Sequence, residues 1–382
     1  MSEAPASLRV LTVHSLPYVY NVGFGQRNAT FVRRRLTPLA HVAGWAESFA
    51  PVPERGYDLV HSFNAVPVMT RRPYVVTFES FLPRLPSDQA TPRTRRARAL
   101  LEARLRRQLA GDRCVALLAM SRYAVRQLES QTSGAAELPA LRAKLRVRYP
   151  AIPLRATEPR ELGDRLRLLI VGHRYFAKGG AALLRAHERL RAEGIDVETT
   201  VLSSLQWDGD DYIGPPDQTF VDRELRRLDG PGVRVLPHMP REQVLALMEQ
   251  VDFLVLPTFA DTFGYVTIEA LAGATPVIAN DTCALGEIVD DGRNGYLLPF
   301  PNDGDVGRWA EIPRRRQPGY QQVFEETTER TAAALVERLR RVVDDRSAYL
   351  RLSQGALDVV RERFDVTAAR DELEAVYERC RR

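Results

Sequence analysis

Short apolar segments alternate with longer helical segments along almost the whole of this 382-residue chain. Such alternation is typical of parallel β-sheets whose two faces are covered by helices. In the first half, helices are predicted near Arg27–Ala40, Thr94–Ala110 and Arg122–Gln131. The predicted strands form two series, first Leu8–Ser15, Leu59–Phe63, Tyr74–Phe78, Val115–Met120 and Leu145–Tyr149, then Leu166–Val171, Glu198–Leu202, Val233–Leu236, Phe253–Leu256, Pro276–Ala279 and Tyr296–Leu298. The sequence therefore predicts an α/β fold with two parallel sheets.

Chain length and the position of the prolines predict two domains. A domain usually holds roughly 100 to 200 residues, and residues 151–163, between the two strand series, contain two prolines and a glycine with little apolar periodicity. We therefore place an N-terminal domain at residues 1–157, a second domain at 158–355 and a C-terminal helix at 356–382. A surface loop is expected over Pro301–Gln322, followed by helices from about Glu326.

Composition excludes several classes of protein. Hydrophobic residues make up 45% of the chain and charged residues 27%, as in soluble globular proteins. No apolar run approaches the roughly 20 residues that a membrane-spanning helix needs, and the first residues lack the features of a secretory signal. The three cysteines and six histidines show no metal-type spacing, and an odd number of scattered cysteines indicates a reducing compartment. We therefore expect a cytoplasmic protein without structural metal.

The net charge of +5 permits an anionic partner. Nucleotide phosphates, acidic lipid and nucleic acid would each satisfy a positive balance. Charge alone does not choose among them, so the choice depends on local motifs.

The stretch from Leu256 to Ala279 carries the strongest local signal. A predicted strand ends at Leu256, a polar turn follows, and a helix is expected to begin at Asp261 or Thr262. In parallel α/β sheets ligands bind outside the carboxyl ends of strands, and the free amides of a helix N-terminus attract phosphate. Asp261 and Glu269 would then lie about two turns apart on one helix face. Alternatively, Asp261 or Thr262 caps the helix and Glu269 is a solvated surface charge.

A second turn of this kind lies in the segment from Val171 to Gly180. Its glycines permit close approach of a ligand to the backbone, and Arg174 or Lys178 would neutralise a diphosphate. A helix over Ala181–Leu190 is expected to follow. The alternative is that both cations are ordinary surface charges.

Both stretches resemble the family-4 retaining glycosyltransferases. The family signature joins an acidic residue, Ser or Thr and Phe-Gly to Glu-Ala, a helix-ending Gly and Pro-Val-Ile. This sequence carries it as Asp261-Thr262-Phe263-Gly264, Glu269-Ala270, Gly273 and Pro276-Val277-Ile278, and the segments 286–289 and 291–297 resemble the next two blocks. The resemblance is strong from Leu166 to Leu298 and weaker from Leu8 to Pro153.

The resemblance implies the GT-B fold, in which two Rossmann-like domains with parallel sheets face each other across a cleft. It implies a nucleotide-sugar donor, a UDP- or GDP-sugar, held mainly by the second domain, and transfer of a hexosyl unit with retention of configuration. The acceptor would be a glycan, a lipid-linked molecule or a small molecule, and no nucleic acid is expected. Neither a cofactor nor a metal is required, and segment 356–382 would cross back to the first domain.

The resemblance also implies roles for individual residues. Lys178 occupies the family's diphosphate-binding lysine position, and His173 stands where the family has arginine, with Arg174 beside it. Glu269 would bind the ribose hydroxyls. Asp261, one methylene shorter than the usual glutamate, would orient the donor sugar. The backbone around Phe263, Gly264 and Tyr265 would contact the donor phosphates.

Three features of the first half are further candidates. Gly23 and Gly25 follow the first strand, where they would allow a ligand to pass or simply form a turn. Glu79 ends a strand where family members often have histidine, and it would accept a hydrogen bond from a substrate hydroxyl or act as a structural cap. Ser121 matches a recurring serine of the family, although a helix N-cap explains it equally well.

The predicted helix over Thr94–Ala110 is strongly basic. An apolar line on it, which would lie on anionic lipid or face a protein core, is formed by Ala97, Leu101, Leu105 and Leu109. The arginines around it are Arg93, Arg95, Arg96, Arg98, Arg104, Arg106 and Arg107. Solvated arginines opposite a core face are the commoner arrangement, so peripheral membrane contact through Arg93–Arg107 is the alternative.

Two rival functions share most of these features. A GT-B sugar-nucleotide epimerase would bind the same donor without transferring the sugar. A non-catalytic nucleotide-sugar sensor or membrane-associated scaffold would bind the donor without releasing nucleoside diphosphate. Asp261, Glu79 and the arginine-rich helix are the features that motivate the non-catalytic alternative.

Overall fold

The computed structural model describes residues 7–13, 29–34, 49–51, 56–84, 92–207, 213–311 and 317–381. The chain divides into two compact units, the first formed by Met1–Ala151 with Asp365–Arg382 and the second by Ile152–Phe364. Each unit contains one parallel six-stranded sheet, so the α/β class is confirmed.

The sheet of the first unit has the strand order β2-β1-β4-β6-β7-β8. Every residue of β4 and β6 is buried, because helices cover both faces of a parallel sheet. The strands are β1 (Leu8–Val13), β2 (Ala29–Arg34), β4 (Leu59–Phe63), β6 (Tyr74–Phe78), β7 (Cys114–Ala119) and β8 (Leu145–Val147), with β3 (Phe49–Pro51) and β5 (Val66–Val68) paired separately. The helices are α1 (Pro92–Ala110), α2 (Arg122–Gln131) and α3 (Leu138–Lys144).

The helix predicted over Arg27–Ala40 is wrong in its central part. Residues 29–34 form β2, which pairs in parallel with β1, Leu8 opposite Ala29. The run Thr30-Phe31-Val32 explains the error, since β-branched and aromatic residues fit a pleated strand better than a helix. The flanking residues 27–28 and 35–40 lie outside the described residues.

The last helix of the chain, α11 (Val366–Arg379), belongs to the first unit. Its residues Leu373, Val376 and Tyr377 pack with Val10 and Leu118 of the sheet. The helix does not begin near Ala356 as predicted. The preceding helix ends at Arg363, and the Asp365 side chain caps α11 by accepting hydrogen bonds from two backbone amides.

The buried side chain of His61 links α11 to the sheet by hydrogen bonds. His61 Nδ1 lies 2.7 Å from Tyr377 Oη, and His61 Nε2 lies 2.7 Å from Thr77 Oγ1. Burial, with a smaller contribution from Arg148, lowers the pKa of His61 to about 3. The imidazole is therefore neutral in the folded protein at neutral pH.

Replacing His61 should change the pH dependence of stability. Between about pH 6.5 and pH 3 the unfolded chain binds a proton at His61 that the folded chain does not, so stability falls as pH falls, by about 1.4 kcal/mol per pH unit at most. H61Q, which keeps hydrogen-bonding atoms but does not titrate, should lose less stability in this range. Urea unfolding at pH 7 and pH 5 measures the difference; equal losses in both proteins would contradict it.

The sheet of the second unit has the strand order β11-β10-β9-β12-β13-β14. Numbered within the unit this is 3-2-1-4-5-6, the order of the doubly wound dinucleotide-binding fold, whose switch point lies between the first and fourth strands. The strands are β9 (Leu166–Val171), β10 (Val197–Leu202), β11 (Val233–Leu236), β12 (Phe253–Leu256), β13 (Val277–Asn280) and β14 (Gly295–Leu298). The switch point therefore falls between β9 and β12.

Helices pack on this sheet around an aromatic cluster. Phe259 stacks on Phe324 with ring centroids 4.5 Å apart, and Trp309 lies edge-on to Phe259 at 4.8 Å. The helices are α4 (Gly180–Ala192), α5 (Gln218–Leu225), α6 (Arg241–Met248), α7 (Tyr265–Ala272), α8 (Leu285–Ile288), α9 (Tyr320–Asp344) and α10 (Arg346–Arg363), with a 3-10 turn at Arg226–Asp229. Because α9 begins at Tyr320, the loop predicted over Pro301–Gln322 extends too far.

The apolar line of the basic helix faces the core of the first unit over most of its length. Leu105 and Leu109 are buried there and Leu101 packs against the same cluster, whereas Ala97 is exposed. This is the arrangement of a core face with arginines opposite. Among the described residues, every helix is too short or too polar to cross a membrane.

Candidate functional site

The loops that follow β9 and β12 meet at the switch point of the second sheet. Lys178 Nζ lies 2.5 Å from Asp261 Oδ2, and both side chains are mostly buried. The Phe259 amide donates to the Ala177 carbonyl at 2.9 Å, and Thr258 Oγ1 donates to the same oxygen at 3.0 Å. The two sequence stretches that carry the family signature are thus joined by an ion pair and by hydrogen bonds.

Glycine is required where these loops approach each other. Gly179 has φ +81°, and a Cβ at this position would lie 2.1 Å from the Pro257 carbonyl oxygen. A Cβ on Gly180 would lie equally close to the Tyr175 ring. A side chain at Gly179 would push the two loops apart and one at Gly180 would distort the first loop, so the two glycines fix the position of Lys178.

Two helices begin at this junction without a side-chain cap. The N-cap residue of α4 is Gly179 and that of α7 is Gly264, and both have left-handed backbone angles. Helix N-termini carry a partial positive charge and unbonded amides, which favour phosphate and other anions. Lys178, paired with Asp261, lies directly before the N-cap of α4.

The expected start of α7 is wrong. The helix begins at Tyr265 rather than at Asp261 or Thr262, because Gly264 takes φ +80° and breaks the helical path. Asp261 therefore lies in the loop and not two helical turns from Glu269, and neither Asp261 nor Thr262 caps the helix. Phe263 is fully buried, whereas Tyr265 is half-buried.

Glu269 lies in the second turn of α7 and is 8% exposed. Its Oε1 accepts a hydrogen bond from Arg241 Nε at 3.1 Å. Burial raises the pKa of Glu269, and the nearby Arg241 guanidinium opposes that rise. The alternative of a solvated surface charge is therefore wrong for this residue.

The turn after β9 also presents His173 and Arg174, both exposed. The His173 carbonyl accepts hydrogen bonds from Ser203 Oγ at 3.2 Å and Ser204 Oγ at 3.1 Å, which ties the turn to the loop after β10. The His173 ring stacks with His238 at a centroid distance of 6.1 Å.

Sequence reasoning missed His238 and Arg241. They lie in and just after the turn between β11 and α6, which is another strand-to-helix turn at the carboxyl edge of the same sheet. The segment Pro237-His238-Met239-Pro240-Arg241 carries the signal, a histidine and an arginine placed where β11 ends. Neither residue matches a motif by itself.

In the first unit, Glu79 lies at the carboxyl end of β6 and is buried. It exchanges two hydrogen bonds of 3.1 Å with Asn64, which follows β4, and forms an ion pair with Arg84 at 3.2 Å. Ser121 caps α2 by accepting a hydrogen bond from the Ala124 amide at 3.0 Å, as the capping alternative predicts. Gly23 and Gly25 lie outside the described residues.

A metal site is not formed by the part of the chain that the structure describes. No group of three or more His, Cys, Asp or Glu side chains there stands close enough to hold an ion.

Residues 165–311, which contain Lys178, Asp261, Glu269 and Arg241, match the family described as "Glycosyl transferases group 1". These residues form a group 1 glycosyltransferase domain. The resemblance noted from the motifs is thus confirmed at the level of this family.

Among curated proteins, the chain is 34% identical to a D-inositol 3-phosphate glycosyltransferase of Corynebacterium kroppenstedtii, over 41% of this chain and 35% of that protein. It is 32% identical to a glycogen synthase of Mycobacterium tuberculosis, over 37% of this chain and 32% of that protein. The matches span about a third of the length of these relatives.

Among solved structures, the chain is similar to Anabaena HepE in complex with UDP-glucose. The TM-score is 0.59 at 15% identity, and the match covers 97% of this chain and 99% of the other. At this identity the similarity establishes the fold, so the expected GT-B class, with two Rossmann-like parallel-sheet domains, is confirmed.

Replacing Gly179 with alanine tests the close approach of the two loops. G179A should lose about 2 to 4 kcal/mol of stability, since it combines left-handed strain with a clash against Pro257. Gly194 is a matched control, because it has φ +84° but a Cβ added there would have no heavy atom within 4 Å. G194A should lose about 1 to 2 kcal/mol, from strain alone. Chemical denaturation of the two variants measures the difference, and equal losses would argue against the close approach.

Proposed function

We propose that this chain is a retaining glycosyltransferase that transfers a hexosyl unit from a UDP- or GDP-sugar to a glycan, lipid-linked or small-molecule acceptor. The observation that carries the proposal is the Lys178–Asp261 ion pair at the sheet's switch point, beside two uncapped helix N-termini. This position is where doubly wound sheets bind nucleotides.

In the proposed site, Lys178 and Asp261 act on different parts of the donor once it has bound. In the free protein Asp261 neutralises Lys178. An incoming diphosphate takes over the ammonium, and Asp261 is released to accept hydrogen bonds from donor-sugar hydroxyls. Negative charge builds on the diphosphate as the sugar leaves, so Lys178, Arg174 and the amides near Gly264 stabilise the transition state more than the ground state.

The remaining proposed contacts follow the same geometry. Glu269 accepts hydrogen bonds from the ribose hydroxyls, His173 lies beside the diphosphate with Arg174, and Phe263, Gly264 and Tyr265 form the loop at the phosphates. For Gly23 and Gly25, which lie outside the described residues, contact with a ligand stays a prediction from the sequence. No cofactor or metal is assigned, because cationic side chains and helix amides supply the positive charge.

For the acceptor, we propose Glu79 as the group that binds a hydroxyl. Asn64 and Arg84 both contact its Oε1, which holds the carboxylate in place. A fixed carboxylate at the carboxyl edge of a sheet can orient a hydroxyl or accept its proton. Glu79 would therefore serve as the acceptor-side contact.

The comparisons support a nucleotide-sugar donor. Anabaena HepE has been solved in complex with UDP-glucose, and the two curated relatives are a glycosyltransferase and a glycogen synthase. A cytoplasmic location is part of the proposal, on the cysteine pattern. Membrane contact through Arg93–Arg107 has less support, because Leu105 and Leu109 are used by the core.

Alanine substitutions at Lys178 and Glu269 test the proposed enzyme. K178A and E269A should each reduce turnover at least tenfold, about 1.4 kcal/mol, since each removes a charge that binds the donor or its leaving group. A screen of UDP- and GDP-sugars, with mass spectrometry of the products, identifies the reaction.

The same screen separates the rival functions. A changed sugar still attached to the nucleotide would indicate an epimerase, and donor binding without release of nucleoside diphosphate would indicate a sensor. Wild-type turnover in both folded variants would refute the assignment of these residues.

Replacing Asp261 with asparagine should strengthen the binding of nucleoside diphosphate and lower turnover. In D261N the ammonium of Lys178 loses its internal partner, so nucleoside diphosphate should bind several-fold more tightly, in line with about 1 kcal/mol for a partly exposed ion pair. Turnover should fall, because the sugar loses a contact. Calorimetry with UDP or GDP and steady-state kinetics measure both, with D261E, which restores the family's usual residue, as the control. Weaker diphosphate binding in D261N would contradict the exchange of partners.

A further inference from the structure

Arg241 is the first residue of α6 and directly follows the turn after β11. It contacts the carboxylate to which the proposed function assigns the ribose, with 3.1 Å between Arg241 Nε and Glu269 Oε1. The Glu269 side chain is 10% exposed and that of Arg241 is 51% exposed. The pair therefore joins a buried carboxylate to a guanidinium group at the protein surface.

An ion pair of this kind differs from an ordinary surface contact. Exposed pairs contribute roughly 0 to 1 kcal/mol, but a buried carboxylate without a partner is strongly disfavoured and tends to take up a proton. A protonated carboxyl group has less capacity to accept hydrogen bonds than a carboxylate. Two adjacent ribose hydroxyls, which both donate, therefore need Glu269 in its ionised form.

Arg241 is itself held in place by a series of alternating charges. Its Nη1 lies 3.5 Å from Glu242 Oε1, and Glu242 Oε2 lies 3.3 Å from Arg155 Nη1. Arg155 also pairs with Glu249. The series runs from the buried Glu269 outward to the surface of the second unit.

Arg155 connects this series back to the helix that carries Glu269. The amides of Arg155 and Ala156 donate to the carbonyl of Ala272, the last residue of α7, at 2.8 and 3.0 Å. The segment before β9 thus contacts the end of α7 through its backbone. Through the Arg155 guanidinium it also contacts Glu242, the outer partner of Arg241. Residues 155–156 therefore support both the helix that carries Glu269 and the charge series that contacts it.

We propose that Arg241 is a positioning residue of the donor site, which holds the Glu269 carboxylate ionised and oriented to accept hydrogen bonds from the ribose of a nucleoside diphosphate. This inference rests on the proposed function. It assigns to Arg241 a role that acts through Glu269 and not through direct contact with the sugar or the phosphates.

The charged groups that act most strongly on Glu269 are Arg241 and Glu242 from α6 and Arg155 from the segment before β9. Arg241 and Arg155 favour the carboxylate, whereas burial and Glu242 oppose it. Loss of Arg241 therefore moves the pKa of Glu269 further upward. Nucleotide binding by such a variant should improve as pH rises, more steeply than binding by the wild type.

The test compares R241M, R241K and R226M in the full chain. Binding of UDP and of GDP is measured by calorimetry from pH 6 to pH 9, together with kcat and KM for the donor. R241M should bind about tenfold more weakly at pH 6 and recover part of this loss at pH 9, with the larger effect on KM. R241K keeps the charge and should restore most of the affinity. Arg226 is an exposed arginine outside this series, so R226M should bind like the wild type.

A double variant tests whether Arg241 acts through Glu269. In E269Q there is no carboxylate to hold, so E269Q with R241M should bind no more weakly than E269Q alone. An additional loss would mean that Arg241 contacts the nucleotide directly, which overturns the positioning role. Thermal melting confirms folding, and R241Q, which also removes the charge but keeps hydrogen-bonding atoms, should give the same pH-dependent loss if R241M does not fold.

The outcomes distinguish the two proposals. If the wild type binds UDP or GDP and R241M binds equally well at every pH, the positioning role fails while the proposed function stands. If the wild type binds neither nucleotide, both fail.

Discussion

The contact between the loops after β9 and β12 determines most of what the second unit presents at the edge of its sheet. These strands lie side by side at the point where the strand order reverses across the sheet, which is where open α/β sheets bind ligands. Gly179 lets one loop approach the carbonyl of Pro257 in the other, and the ion pair between Lys178 and Asp261 then follows. Two helices start from the same place, both at left-handed glycines. Two helix N-termini and the Lys178–Asp261 pair thus lie together outside the carboxyl ends of β9 and β12.

The two acids at this edge of the sheet are paired with cations in different ways. Asp261 compensates Lys178 in the free protein, which avoids an unpaired and largely buried ammonium. In the proposed reaction the same acid becomes a sugar contact, so one residue serves the protein before and after the donor binds. Glu269 is treated differently, because its partner Arg241 comes from a third strand-to-helix turn and is anchored outward by Glu242 and Arg155. The carboxyl edge of one sheet thereby contains two acids, each with its own cation.

Sequence reasoning predicted the α/β class, most strands of both sheets to within two residues, and the two turns that meet at the switch point. Those features depend on local apolar runs and on a motif with fixed spacing, which are visible without a structure. The start of α7 was mispredicted because an acidic residue and threonine resemble an N-cap, and only the left-handed angle of Gly264 shows that the helix starts later. The strand at Ala29–Arg34 was mispredicted although its β-branched and aromatic run favours a strand, because its pairing with β1 is not visible in the sequence. Arg241 was missed because an arginine near a strand end carries no special meaning until the buried partner on α7 is known.

The position of α11 makes the first unit discontinuous in the chain. Val10 and Leu118 share a cluster with Leu373 and Val376, and one nitrogen of the His61 ring bonds to Tyr377 near the end of the sequence. During synthesis on a ribosome, the sheet of the first unit emerges long before this helix, and the whole second unit is made in between. The apolar face that α11 covers therefore stays uncovered until α11 is made, so the first unit is completed only after the second unit has been synthesised.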